Sequence, residues 1–384
     1  MEYKTKVCVV SSSRADYNHL YPLLTELRES KKITLQIVAT GMHLLKKYGY
    51  TYKEIEKDGF KINKKISTYQ KNTKDIEIVN SISRALTGMA SAIKNLKPDI
   101  IIILGDRYDI YPVAIVAHIL QIPLAHIHGG EVTSGSIDDG IRHSITKLAN
   151  IHFVATNLFR NRVIAMGEQK NTVINIGSIG VEGNKNIKNI SKKQVLSKFN
   201  IKKYDNYFII TLHPETVNES NKKIITNMLS ALSLYKNYFF IFTGSNSDTG
   251  SDMITKKIYG FISKNKSQSI FISSLGRNLY VNMMKHASLI IGNSSSGIIE
   301  APSLKTATIN IGNRQNGRPI SKSVFNASGT LISIKQSIKD AIKFDFKKNR
   351  YKPAYQGTKS ISKIIKHISN INKDKLLNKK FYDK

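Results

Sequence analysis

Apolar and polar positions along the chain repeat one phrase: a short apolar run, a turn of small residues, then an amphipathic stretch. Residues 6–10 (KVCVV) are apolar and partly β-branched, as a buried strand requires. A turn at 11–14 follows, and Leu20, Leu23, Leu24 and Leu27 recur at helical spacing. The same alternation predicts strands at 33–39, 100–104, 123–127, 151–155 and 173–176, and helices at about 79–96, 112–120 and 138–149. The helix at 79–96 stops before Pro98, because proline disfavours helical backbone in the residue preceding it. The run at 100–104 (IIIIL) has no polar position, the mark of a parallel strand covered on both faces.

A linker rich in Asn, Lys and Gly at 180–189 interrupts the pattern, which then restarts. Strands are predicted at 207–212, 239–243, 270–272, 289–291 and 306–311, helices at 222–234 and 278–286, and a helix start at 297–303. The basic tail after Ile338 reads as a closing helix. Strand–helix alternation in two blocks predicts an α/β protein with two Rossmann-like, doubly wound domains, 1–180 and 181–384, the tail belonging to the second. The length of 384 residues suits two domains. Such sheets bind ligands at the carboxyl ends of their strands, so two ligand-binding edges are expected to face a cleft.

Composition narrows the classes. Apolar residues make up 41% of the chain, enough to fill two cores, and no apolar run approaches the ~20 residues of a membrane span. The apolar stretch at 7–10 is too short for a signal-peptide core. Cys8 is the only cysteine, which excludes an intrachain disulfide and a cysteine metal cluster. These features predict a cytoplasmic protein without membrane attachment. The formal charge of +32 has two readings, an anionic polymer or membrane as partner, or a lysine-rich surface of the kind AT-rich genomes encode. The lysines are dispersed among Asn, Ser and Ile, as at 184–193 and 363–380, with no zinc-finger spacing and no aromatic RNA-binding motif. The second reading therefore stands, with no nucleic-acid partner, and the positive potential serves to attract anionic small molecules.

Candidate chemistry follows the predicted strands. SSSRAD (11–16) brings small residues and Arg14 to a helix start, either to approach a phosphate or simply to cap the helix. GDRYD (105–109) sends Asp106 off a buried strand, as a crevice carboxylate or a helix cap. HIHGGE (126–131) puts His126, His128 and Glu131 on one turn, a pattern that suits acid/base work better than metal, since no third ligand stands at a recognisable spacing. Asp138 and Asp139 open the next helix, with Arg142 and His143 one turn on. In the second block, Pro214 ends a strand and holds His213 at its edge, and GSNSD (244–248) ends another. GNSSSGIIE (292–300) offers Ser294, Ser295, Ser296 and Gly297 at a strand–helix junction, a cradle for a diphosphate, with Glu300 in reach of ribose hydroxyls. GNRQNGR (312–318) adds Arg314 and Arg318 for phosphate or base.

In this order, with TGMH (40–43), IDDGIRHSITKL (137–148), TLHPET (211–216), GSNSDTGSD (244–252) and EAPSLK (300–305), these segments resemble the UDP-N-acetylglucosamine 2-epimerase family, specifically its hydrolysing branch. The resemblance spans residues 11–318. It implies a GT-B-like fold and chemistry without metal or redox cofactor. A base removes the C2 proton as the nucleotide leaves C1; water then adds at C1 and a proton returns to C2 from the other face. The products are a free manno-type sugar, used for sialic or legionaminic acid, and a nucleoside diphosphate. The implied partner is a small-molecule nucleotide sugar, and the implied assembly a homodimer or homotetramer. Asp106, Glu131, Asp138 and His213 resemble the acid/base set, and Arg14, Ser294, Ser295, Ser296, Glu300 and Arg318 the nucleotide contacts. Many relatives carry glutamate where this chain has His128, so either Glu131 supplies that carboxylate or His128 replaces it as base. Asp138 and Asp139 compete for one role.

Overall fold

The computed structural model describes residues 4–383 except 69–74, 134–135, 216–220, 245–249, 274, 350, 358 and 370. The first sheet grows from β1 (Thr5–Ser11), which pairs in parallel with β2 (Ile33–Thr40) and with β4 (Ile100–Leu104). β3 (Lys64–Ile66) lies outside β2, and β5 (Leu124–Ile127), β6 (Ile151–Val154) and β7 (Val173–Asn175) extend the other side. In the order β3-β2-β1-β4-β5-β6-β7, the chain runs outward from β1, then returns to start again at β4. That reversal is where a doubly wound sheet opens a crevice. Val7 and Val9 enter one core with Leu20, Leu23 and Leu24, whereas Cys8 and Val10 enter another with Met89 and Ile93. Alternate residues thus bury against opposite layers of helices, which explains the unbroken apolar runs of β1 and β4.

The second sheet repeats the plan. Its strands are β8 (Tyr207–Thr211), β9 (Phe239–Thr243), β10 (Ser269–Ile272), β11 (Leu289–Gly292), β12 (Thr308–Ile311) and β13 (Val324–Ala327), ordered β10-β9-β8-β11-β12-β13 and all parallel. Phe208 and Ile210 pack to one face, Tyr207 and Ile209 to the other. Gly292 ends β11 at φ 136, where a Cβ would overlap the Thr211 carbonyl of β8. Only glycine lets the two strand ends lie side by side there.

The expected division of the chain needs two corrections. The compact units are Met1–Glu131 with Ile137–Gly183 and Gly357–Lys384, and Val132–Ser136 with Asn184–Gln356. The tail belongs to the first unit because Ile361, Ile364 and Ile368, on the helix Ser360–Ile368, complete the core around Leu20 and Leu23. Each such side chain contributes roughly 1.5–3 kcal/mol by leaving water. The short segment Val132–Ser136 belongs to the second unit. Among the described residues, no helix is long and apolar enough to cross a membrane.

Candidate functional site

In the first unit the chemistry-bearing side chains gather at the carboxyl ends of β1, β4 and β5. After β1, Ser13 caps the helix Arg14–Glu29 in a reciprocal capping box with Asp16. Asp16 Oδ2 also accepts from the Ser12 amide at 2.7 Å and the Ser13 amide at 3.0 Å. Those amides are spent inside the loop, so of the two sequence readings the cap is the one realised. Arg14, half-buried at the first helical position, is what the segment can offer an anion. Beside it, His43 bonds to Ser11 Oγ at 2.9 Å and Thr51 Oγ1 at 2.8 Å, and burial pushes its pKa down to about 4. It is a neutral pin between loops.

Asp106 leaves β4 and pairs with Arg142. It caps nothing: the next helix, Tyr111–Ile119, has Ile110 at its N-cap. Asp109 is buried, and burial raises its pKa to about 6 against the opposing pull of Arg107 at 3.3 Å. After β5 the two histidines of HIHGGE separate. His126 turns inward to the Gly105 carbonyl at 2.7 Å, and burial lowers its pKa to about 3. His128 takes a left-handed backbone, φ 69, and its Nδ1 lies 2.6 Å from Glu131 Oε1. An ionised carboxylate can only accept, so it fixes the Nδ1–H tautomer and leaves Nε2 as the basic nitrogen.

Arg142 organises this edge. It is 1% exposed and one guanidinium spans three groups: the Asp106 carboxylate, the Glu131 carbonyl at 2.9 Å and Asp139 Oδ1 at 3.0 Å. Asp138 is buried in the first turn of the helix Ile137–Leu148, whereas Asp139 is tied to Arg142 on that helix. The two aspartates thus have different surroundings. Sequence reading placed Arg142 nearby without giving it a role. Its signal was an arginine facing the core side of a short helix, four positions after Asp138.

The second unit gathers its polar groups at the ends of β8, β11 and β12. The His213 amide donates to Asn293 Oδ1 at 2.7 Å, and Asn293 Nδ2 returns a bond to the His213 carbonyl at 2.9 Å. This double bond sets the His213 ring at the strand edge that Pro214 terminates. Glu215, unremarked in the sequence, is buried, and its Oε1 accepts from the amides of Asn313 at 2.8 Å and Arg314 at 3.2 Å. It fills the backbone nest of the GNRQNGR loop. Arg314 reaches the Asn293 carbonyl at 3.4 Å, and Arg318 Nε donates to the Val132 carbonyl at 3.0 Å.

At the end of β11, Ser294 stands at the N-cap of the helix Ser295–Ile299 without a side-chain capping bond. Its hydroxyl joins a chain instead, 3.0 Å to Ser296 Oγ and onward 2.9 Å to Tyr280 OH. Gly297 lets this helix close on β12, since a Cβ would meet Thr308 Cγ2 at 2.7 Å. Glu300 is buried and accepts from Asn184 Nδ2 at 3.4 Å. The serines, Glu300, Arg314 and His213 therefore lie on neighbouring strand ends of one sheet. Residues 245–248 of GSNSD, Thr216 of TLHPET and the loop 134–135 before Asp138 lie outside the described residues.

A sequence model of the family described as UDP-N-acetylglucosamine 2-epimerase matches residues 25–369. A Campylobacter jejuni protein named GDP/UDP-N,N'-diacetylbacillosamine 2-epimerase (hydrolyzing) is 39% identical over 99% of both chains. A polysialic acid biosynthesis protein of Escherichia coli is 40% identical over 98% of this chain and 97% of its own. In fold, the crystal structure of UDP-GlcNAc 2-epimerase from Neisseria meningitidis bound to UDP-GlcNAc superposes with a TM-score of 0.78 at 18% identity, covering 94% of this chain and 99% of that one.

Proposed function

The chain belongs to the UDP-N-acetylglucosamine 2-epimerase family and is a hydrolysing nucleotide-sugar 2-epimerase, and on that premise we propose its substrate and the roles of its residues. The substrate is a nucleoside-diphosphate 2-acetamido sugar, with N,N'-diacetylbacillosamine as the sugar. The likeness to the Campylobacter jejuni protein over the whole chain favours that choice. The likeness to the Escherichia coli protein favours a second reading, UDP-N-acetylglucosamine as donor of free N-acetylmannosamine for sialic acid.

The observation that carries the mechanism is the His128–Glu131 pair at 2.6 Å beside Asp106 and its arginine. His128 Nε2 takes the C2 proton, with Glu131 orienting the ring and stabilising the imidazolium that forms. The C1–O bond breaks, its electrons leave with the nucleoside diphosphate, and a C1=C2 double bond remains. Water then adds its oxygen to C1 and gives its remaining proton to a carboxylate of the site, C2 gains a proton on the opposite face from Asp106 or Asp138, and His128 releases to solvent the proton it took from C2. His213 assists the departing diphosphate. Arg14, Ser294, Ser295, Ser296, Gly297, Glu300, Arg314 and Arg318 bind the nucleotide, the cations and hydroxyls offsetting the charge that grows on the leaving group. The same reading puts the enzyme in the cytoplasm, as a homodimer or homotetramer supplying sialic or legionaminic acid synthesis.

Purified protein incubated with UDP-N-acetylglucosamine and with UDP- and GDP-linked N,N'-diacetylbacillosamine, followed by proton NMR, tests this. The expected result is free manno-configured sugar with one equivalent of nucleoside diphosphate, fastest from a bacillosamine donor. An equilibrium mixture still carrying nucleotide would sink the mechanism, and preference for UDP-N-acetylglucosamine would replace the substrate by the second reading.

A further inference from the structure

The first unit has a cavity of about 480 Å³ that the reaction does not use. It lies where Ile151 begins β6 and Thr172 precedes β7, the amino ends of those strands. In a parallel sheet this is the edge opposite Asp106 and His128, which follow the carboxyl ends of β4 and β5. Its volume is that of a small-molecule site. One wall is the turn after the helix Asn157–Ala165; the other is the C-terminal tail around the helix Lys373–Leu377.

The lining has three cations, Lys375, Lys379 and Lys380, and one carboxylate, Glu168. That carboxylate is already answered, by Lys147 at 2.7 Å, Lys379 at 2.8 Å and His152 at 3.0 Å. Among the described residues the side chains of Lys375, Lys380, Asn171 and Asn378 make no hydrogen bond or ion pair, so two cations and two amides line the cavity with their capacity unspent. Ile174 and Leu376 supply an apolar surface beside them. We propose that this cavity binds a small hydroxylated anion, a sugar bearing a phosphate or a carboxylate. The ammonium groups take the anion, the amides take ring hydroxyls, and the isoleucine–leucine surface takes the face of the ring. Such a ligand would bridge the tail to the body of the unit and stabilise it by mass action.

The full chain is titrated by calorimetry with N-acetylglucosamine 6-phosphate and with glucuronate, each with and without excess uridine diphosphate. Saturable binding of the first identifies phosphate, and of the second carboxylate. In either case Lys375→Ala and Lys380→Ala each weaken it about tenfold or more, the scale of one hydrogen bond to a charged group, without lowering the melting temperature of the unliganded protein. Binding of neither probe, binding indifferent to both lysines, or displacement by uridine diphosphate overturns the proposal. None of these outcomes depends on which sugar nucleotide the enzyme cleaves.

Discussion

His128 sits at φ 69, a conformation that costs a non-glycine residue about 1 kcal/mol or more. The turn tolerates it because the chain must leave β5 and still bring the ring back onto Glu131 three residues later. The sequence puts His128 and Glu131 on one turn but leaves open which is the base, since spacing shows neither their 2.6 Å contact nor the tautomer it favours. Glu131→Gln tests the pairing. An amide can donate to Nδ1 and so favour the opposite tautomer, which occupies Nε2 with a proton. The expected outcome is a fall in kcat of about 10²–10⁴-fold with KM little changed, the range for general-base catalysis. His128→Glu, which puts a carboxylate where the imidazole stands, should keep more turnover than His128→Ala. Equal turnover of Glu131→Gln and the unaltered enzyme in steady-state assays would remove the pair from the mechanism.

Elements were legible where their period was pure. The strands at 100–104 and 239–243 match β4 and β9 residue for residue, because buried parallel strands carry no polar interruption. β3 and β13 were not predicted. β3 is a sheet edge with two exposed lysines, and β13 is four residues long with an exposed asparagine, so neither has the apolar signature of a covered strand. The helix Ser251–Lys264 was also missed, its start falling in a segment read only for its polar residues. At the serine cradle the sequence showed the hydroxyls but not why Gly297 follows them. Its approach to Thr308 is a packing fact, and the Thr308 hydroxyl also bonds the Gly297 carbonyl at 2.8 Å. Gly297→Ala should therefore destabilise by about 1–3 kcal/mol through overpacking. Thr308→Ser removes the obstructing methyl and keeps the hydroxyl, so the double substitution should recover most of that loss in urea denaturation. A double variant no better than Gly297→Ala would show that the contact is not what requires glycine.

The first unit is closed by its tail, which the sequence pattern placed in the second domain because a helical period says where a face is apolar and not which core it fills. Beyond Ile361, Ile364 and Ile368, the last residues dock on their own terms. The Phe381 ring lies where a side chain at Gly167 would be, and Lys379 Nζ donates to the carbonyls of Lys147 at 2.6 Å and Ala149 at 2.8 Å as well as to Glu168. Burial alone would raise the Glu168 pKa, but hydrogen bonds and charge from His152, Lys147 and Lys379 bring it from the ordinary 4.5 down to about 2. A carboxyl whose pKa is lower folded than unfolded contributes stability that is fully present above the unfolded value and is lost as pH falls through the folded one. Glu168→Gln should thus cost about 3 kcal/mol at neutral pH, the lower end for breaking a buried pair, since Lys147 is 39% exposed and solvent screens its share. The difference from the unaltered protein should then shrink steadily between pH 4.5 and about 2 in denaturant titrations. A gap that stayed constant across that window would mean that the tail is held by Phe381 and the isoleucines, with the buried charge contributing nothing.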